Sequence, residues 1–309
     1  MRVLFLGTSG FACPALEILL SSSHEVVGVV SQPDRPKGRG QKLAPPPVKI
    51  LAATKNLPIL QPEKIRDAPF IEVLRSFYPE MIVVVAYGQI LPPAVLSLPP
   101  KGCINVHASL LPKFRGAAPI ARAILAGETQ TGVTTMILDS GMDTGPVLLQ
   151  EETSIAPEDN AGTLHDRLAV MGARLLLETL DAFEKSEIMP IPQDNSQATY
   201  APKIIREEAR IRWDSPARQI FNCIRAFDPW PGAFTSWKGK ILKLYRPSLE
   251  SESTEEPGTV IQTSPNGLRI ATADGTLRIR ELQLESRPRL SVVEFLKGYP
   301  LKPGVRLGE

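Results

Sequence analysis

The sequence predicts an α/β protein: a doubly wound, mostly parallel sheet followed by a small antiparallel β-barrel. Three observations predict this. Strand and helix signals alternate through the first half of the chain. One segment there, Met81-Ile82-Val83-Val84-Val85-Ala86-Tyr87, is apolar on both faces, as a central parallel strand must be. Beyond Arg212 the texture changes to short alternating runs split by Asn266-Gly267 and Asp274-Gly275, pairs that favour tight hairpins. At 309 residues the chain is also long for a single core, so two domains are expected.

Taken in order, Val3–Gly7 is an apolar strand that ends in a glycine-rich turn, and Pro14–Leu20 continues as an amphipathic helix. Val26–Ser31 is a second β-branched run. Helices are expected over Val48–Lys55 and Ile71–Phe77, then the central strand, then a strand over Gly102–His107 and a helix over Ala117–Leu125. Strand, helix, strand in succession implies a parallel, Rossmann-like sheet, whose ligands bind outside the carboxyl ends of the strands. Val133–Leu138 and Val147–Ile155 read as two further strands, and Thr163–Glu184 as a long amphipathic helix. Residues 189–205 are polar and proline-dotted, as a linker between domains 1–188 and 206–309 would be. Runs over Ile241–Tyr245, Gly258–Gln262, Leu268–Thr272 and Leu277–Leu284 then predict the barrel, of OB-like type.

Composition narrows the class of protein. With 43% hydrophobic and 22% charged residues the chain is expected to be soluble and globular. Cys13, Cys103 and Cys223 form no C-x-x-C pair, so neither zinc nor a redox dithiol is expected, and free buried thiols suit a reducing cytosol. The N-terminal apolar run is too short for a signal peptide or a membrane span, which leaves a cytoplasmic location by default. Net charge is +2, but residues 206–309 carry 17 Lys and Arg against 13 Asp and Glu. That bias suits a polyanionic partner or ordinary scatter of surface charge.

The chemistry concentrates in Cys103-Ile104-Asn105-Val106-His107-Ala108-Ser109-Leu110-Leu111-Pro112 and in Gly141-Met142-Asp143-Thr144-Gly145. Asn105 and His107 are two apart on a strand, so both side chains face one side at its end. An amide can donate to a developing oxyanion, an imidazole can handle a proton, and a carboxylate can orient and charge the imidazole. Together they suit acyl transfer without a metal or a covalent intermediate. Gly7-Thr8-Ser9-Gly10 lacks the third glycine of a dinucleotide fingerprint and reads as a turn that admits a ligand close to backbone. His24 and His165 are expected at the surface or as helix caps. Pro33–Lys42 carries Arg35, Lys37, Arg39 and Lys42 with two glycines, a flexible loop suited to phosphate. Glu207–Trp213 and Arg225–Ala233 mix arginine with aromatics. They suit either stacking on nucleic acid or a domain-junction core.

Asn105–Pro112, Phe114-Arg115-Gly116-Ala117-Ala118-Pro119-Ile120 and Gly141–Gly145 resemble the formyltransferases that use 10-formyltetrahydrofolate. The similarity runs nearly end to end and includes Gln32–Pro36, Val83–Gly88, Glu207–Trp213 and Ile224–Pro231. It is nearest to the branch whose acceptor is methionine esterified to initiator tRNA. The resemblance implies Asn105, His107 and Asp143 as the catalytic trio, and folate on Ser109, Leu110, Leu111, Pro112 and Gly88. It implies tRNA on Arg35, Lys37, Arg39, Lys42 and the C-terminal barrel, no metal, no membrane, and a monomer. A sister formyltransferase acting on glycinamide ribonucleotide lacks this basic loop and barrel. Whether His107 or a water held by Asp143 takes the amine proton is left open by the residues.

Overall fold

The computed structural model describes residues 1–37, 40, 42–251 and 253–308. The chain divides into two compact units. One comprises Met1–Pro119, Thr131–Thr153 and His165–Ala201, the other Ile120–Gln130, Ser154–Leu164 and Pro202–Glu309.

In the first unit, β1 (Arg2–Gly7) leads through a short 3-10 turn into α1 (Cys13–Leu20), and β2 (Glu25–Val30) follows. The described ends of the basic segment pair as a hairpin, and Gly38, Arg39 and Gln41 lie outside the described residues. Its strands β3 (Arg35–Lys37) and β4 (Lys42–Ala44) pair Arg35 with Ala44 and Pro36 with Leu43. The hairpin is tied at its root, where Lys49 reaches both Asp34 oxygens at 2.9 Å and Gln61 donates to Asp34 at 2.8 Å. Those bonds, Gln61 first and then Lys49, hold the Asp34 carboxyl below its usual range. Helix α2 (Pro47–Thr54), strand β5 (Ile59–Leu60), α3 (Ala68–Arg75), β6 (Met81–Val85), α4 (Pro93–Leu96) and β7 (Cys103–His107) come next. After α5 (Pro119–Ala126), which but for Pro119 belongs to the second unit, come β8 (Gln130–Ile137), β9 (Val147–Ser154) and α6 (Ala161–Glu184), the last in this unit from His165 onward.

The sheet order is β5-β2-β1-β6-β7-β8-β9. The pairs from β5 to β7 are parallel, and β8 runs antiparallel to β7. The doubly wound fold therefore stands as the sequence predicts. Strand β6 is central and buried at every residue because Met-Ile-Val-Val-Val offers apolar side chains to both faces. Fully burying one such side chain is worth about 1.5–3 kcal/mol. On one face, Leu4, Leu6, Ile82, Val84 and Cys103 pack with Ile71, Leu74 and Val95. On the other, α6 lies close to β7. A Cβ on Gly172 would stand 2.8 Å from Val106 Cγ1, so only glycine admits this approach. Chain order reverses between β1 and β6, the switch point of such sheets, and their carboxyl ends carry Thr8 and Gly88.

Two expectations need correction. His24 is buried rather than at the surface, its Nε2 being 3.1 Å from Asp181 Oδ1 on α6. The segment 189–205, expected as a linker, is divided, with 189–201 in the first unit and 202–205 in the second. Its polar side chains and backbone are occupied: Ile191 and Val147 exchange backbone hydrogen bonds, and Thr199 and Ala201 bond to Arg115.

The second unit carries α7 (Ala217–Ala226) and six strands: β10 (Phe234–Trp237), β11 (Lys240–Glu250), β12 (Val260–Ser264), β13 (Gly267–Ala271), β14 (Thr276–Leu284) and β15 (Leu290–Ser291). They are followed by α8 (Val292–Gly298). The order is β10-β11-β14-β13-β12, with β15 on β14, and every pair is antiparallel. The C-terminal segment spans the two edges: Val260 N–H donates to Val305, Leu307 N–H to Gly258, and Gly308 N–H to Ser236 on β10. Ties of this kind relieve the open edges that a six-stranded sheet would otherwise expose.

Cys103 and Cys223 are free, and burial pushes both thiols up to about 12. An ordinary exposed thiol, by contrast, is partly thiolate at neutral pH. Both should therefore react with iodoacetamide at pH 8 roughly 10³-fold more slowly in the native protein than in denaturant. Mass-spectrometric counting of labelled cysteines against time checks this.

Candidate active site

Strand β7 delivers Asn105 and His107 to one face at its carboxyl end, because side chains two apart share a face. His107 is only 6% exposed. Its Nε2 stands 2.9 Å from the Phe114 carbonyl oxygen, and its Nδ1 stands 3.6 Å from Asp143 Oδ2. A carbonyl oxygen can only accept, so the hydrogen-bond network assigns the ring hydrogen to Nε2. Nδ1 is then the nitrogen free to exchange a proton, and it faces a carboxylate. Asn105 is half-buried, and among the described residues nothing accepts from its carboxamide, which leaves that donor for a ligand.

Asp143 sits in the loop between β8 and β9 with φ +53°. Its Oδ2 accepts the Gly116 N–H at 2.8 Å. The turn Phe114-Arg115-Gly116 therefore holds both members of the pair, His107 by a carbonyl and Asp143 by an amide. Phe114 and Gly116 both have positive φ, +59° and +117°. At Gly116 a Cβ would stand 2.9 Å from the Ala201 carbonyl oxygen, so glycine is required there.

Arg115, between them, is 2% exposed. Its Nε and Nη2 donate to Gln193 Oε1 at 3.0 and 2.7 Å, and Nη2 also donates to Asn195 Oδ1 at 2.9 Å. Gln193 Nε2 in turn donates to the carbonyls of Asp143 at 2.9 Å and Gly145 at 2.7 Å. One half-buried amide thus joins the turn that holds His107 to the loop that carries Asp143. Backbone bonds from Arg115 N–H to Thr199 and from Ala201 N–H to Arg115 fix the same turn.

The Ser109–Pro112 turn follows β7 directly. Ser109 is fully buried and its hydroxyl donates to the Lys113 carbonyl at 2.6 Å. Thr134 on β8 donates to the Ser109 carbonyl and accepts from Leu111 N–H, and Gln150 on β9 donates to the Leu111 carbonyl at 2.8 Å. Ser109 and Leu111 thus build the turn, while Leu110 and Pro112 present surface. Gly88, φ +90° and exposed, lies beyond β6, where Thr8 Oγ1 donates to Tyr87 O and accepts from Gln32 N–H. Arg35 and Lys42 are exposed on the hairpin, and Arg35 Nη2 reaches Glu63 at 3.1 Å. Arg39 and the Lys37 side chain lie outside the described residues.

Sequence reasoning identified Asn105, His107 and Asp143, which the fold brings together. It missed Gln193, Thr134, Gln150 and Thr8. No local pattern marks them, since their partners lie 16 to 79 residues away.

Two family profiles match the chain: "Formyl transferase" over residues 1–180 and "Formyl transferase, C-terminal domain" over residues 203–300. A Trichlorobacter lovleyi protein named methionyl-tRNA formyltransferase is 51% identical over 306 residues, 99% of this chain and 96% of its own. Among solved structures, HypX from Aquifex aeolicus in complex with tetrahydrofolic acid is similar with TM-score 0.66 at 20% identity, over 100% of this chain and 51% of that one. Methionyl-tRNA formyltransferase from Clostridium thermocellum is similar with TM-score 0.56 at 17% identity, over 81% and 94%. These two likenesses support the fold.

Replacing Gln193 by Leu would leave the Arg115 guanidinium short of its main acceptor in a buried site. Losing one partner of a buried charged group costs roughly 2–4 kcal/mol. Gln193→Leu should lower the unfolding free energy by about that amount in urea titration, with an unchanged slope.

Proposed function

The chain belongs to the formyl transferase family, and from this premise we propose that it transfers the formyl group of 10-formyltetrahydrofolate to the α-amine of methionine on initiator tRNA. The observation that carries the acceptor is identity near one half along the full length with proteins named for that reaction. The geometry around His107 supports how it is done.

The amine nitrogen attacks the formyl carbon, and the carbonyl π pair moves onto oxygen. The unengaged Asn105 carboxamide donates to that oxyanion, a contact worth about 3 kcal/mol in the transition state. The attacking amine gives its proton to His107 Nδ1, since Nε2 is engaged with the Phe114 carbonyl. Asp143 Oδ2, 3.6 Å from Nδ1, stabilises the imidazolium so formed. The oxyanion then collapses, the carbon–N10 bond breaks, and N10 takes the proton held on His107 Nδ1 as tetrahydrofolate leaves, which returns the imidazole to its neutral form. Folate lies along Gly88 and the Ser109–Pro112 turn. Within that turn Leu110 and Pro112 make the contact and Ser109 and Leu111 keep its shape.

The acceptor tRNA engages the basic hairpin with Arg35, Lys37, Arg39 and Lys42, and the net-cationic C-terminal region with it. Folate binding and catalysis fall to residues within 1–188, and tRNA binding to residues within 206–309 besides the basic hairpin. The enzyme acts in the cytoplasm, where initiator tRNA is charged, and as a monomer. No helix among the described residues is long and apolar enough to cross a membrane.

Formyl transfer from 10-formyltetrahydrofolate to methionyl initiator tRNA, with an elongator tRNA as control, tests the reaction. Asn105→Ala and His107→Ala should each lower kcat by about 10²-fold or more while the tRNA KM stays within about twofold. Equal loss of tRNA binding would overturn the assigned roles. Arg39→Ala should raise the tRNA KM and reduce the salt slope of binding by about one. An unchanged KM across salt concentrations would count against the hairpin as a phosphate contact.

A further inference from the structure

The arginine–aromatic segment Arg225–Ala233 admits two readings, nucleic-acid stacking and buried core, and in the second unit these fall on different residues. Arg225, Phe227 and Asp228 are buried. Arg225 donates through Nε to the Asp159 carbonyl and through Nη2 to the Ala156 carbonyl, each at 2.7 Å. Trp230, two residues past Asp228, is 64% exposed, whereas Trp213 and Trp237 are both buried.

The loop that carries Trp230 is held on every side. Arg289 grips both Asp228 oxygens at 2.8 and 3.2 Å, and Asn160 donates to Asp228 Oδ2 at 3.0 Å. Gly162 N–H donates to the Asp228 carbonyl and Gly232 N–H to Phe227. Lys243 Nζ donates to the Pro231 carbonyl at 2.6 Å. Pro229 and Pro231 flank the indole and restrict the backbone on both sides of it.

A lone exposed apolar side chain on a mobile loop needs no explanation. This one is different, because four side chains and two backbone bonds fix a short loop whose one large exposed group is an indole. A ring held in advance loses little entropy when something stacks on it. The neighbouring charge selects the ligand. Lys243 sits under the loop, where burial first and the Arg206 guanidinium second hold its ammonium below the usual range, and residues 206–309 are net cationic in sequence. An aromatic face among cations is the composition that binds single-stranded nucleic acid, with base stacking and phosphate neutralisation acting together.

We propose that Trp230 is a stacking platform for an unpaired nucleobase of the tRNA substrate. This rests on the formyl-transfer reading above and adds to it a contact that carries no charge. Such a contact affects tRNA affinity without the salt dependence of a phosphate contact, and it touches no reacting atom.

The test uses the full-length enzyme with saturating 10-formyltetrahydrofolate and varied methionyl initiator tRNA. Trp230→Ala should raise the tRNA KM roughly 5- to 50-fold with kcat within about twofold and an unchanged salt slope. Trp230→Phe, which keeps a π face, should recover most of that loss. Independently of any variant's folding, titrating the wild-type chain with a six-nucleotide unpaired RNA ending in CCA should quench its exposed tryptophan emission. A wild type that formylates tRNA while Trp230→Ala keeps its KM, or a wild type unquenched by the RNA, overturns the stacking platform and leaves the reaction standing. A wild type that binds and quenches with the RNA but formylates no tRNA overturns the reaction and leaves the platform.

Discussion

The candidate site depends on one side-chain pair, the buried Arg115 and the half-buried Gln193. Asp143 lies in a loop between two strands and has a positive φ, a conformation that costs free energy for a residue with a Cβ. Asp139 Oδ1 pins the loop locally, accepting from Gly141 N–H at 2.9 Å and from Thr144 Oγ1 at 2.7 Å, but it does not tie the loop to the turn at Arg115. Gln193 does, by donating to the carbonyls on either side of Thr144 while its oxygen accepts two bonds from Arg115. The same arginine sits between the residue that holds His107 and the residue that holds Asp143. Positions on three separate chain segments thus become one rigid unit, and the distance from His107 Nδ1 to Asp143 Oδ2 follows from it.

The acceptors recorded for the Arg115 guanidinium are amide oxygens, from Gln193 and Asn195. A carboxylate in their place would pair more strongly, but it would set a second negative charge beside Asp143 and compete for the imidazolium. Neutral acceptors satisfy the donors and leave the local field to Asp143. The Phe114 carbonyl acts to the same end. By accepting from Nε2 it settles the tautomer, so proton exchange falls on the nitrogen that faces the carboxylate.

Much of this was legible in the sequence. Periodicity located β1, β2, β6 and β7 to within a residue or two, because buried parallel strands must be apolar throughout. The spacing of Asn105 and His107 fixed their shared face. What was not legible depends on distant partners. Residues 189–201 read as a linker because they are polar and contain prolines, yet those polar groups are the hydrogen-bond donors and acceptors that the turn at Arg115 needs. His24 read as a surface residue, whereas Asp181, 157 positions away, draws it into the interior. The pairing of the basic segment's two ends, Pro36 with Leu43, and the anchoring of Asp34 by Gln61 and Lys49 were not legible either, since no local pattern marks those partners.

Both units solve the same physical problem in the same manner. A side chain proposed to meet a large flexible ligand cannot be stabilised by that ligand beforehand, so its backbone has to be held by something else. At Asp143 that support is a buried arginine acting through an amide onto carbonyl oxygens. At Trp230 it is Arg289 on the Asp228 carboxylate and Lys243 on the Pro231 carbonyl. Cations are suited to this work because one guanidinium or ammonium supplies several donors, and loop carbonyls lack partners of their own. At Arg115, burial removes the competing water and strengthens each bond. The cost of burying Arg115 is thus offset by the order it imposes on the loop that carries Asp143, while Lys243 is half-buried and Arg289 works from the surface.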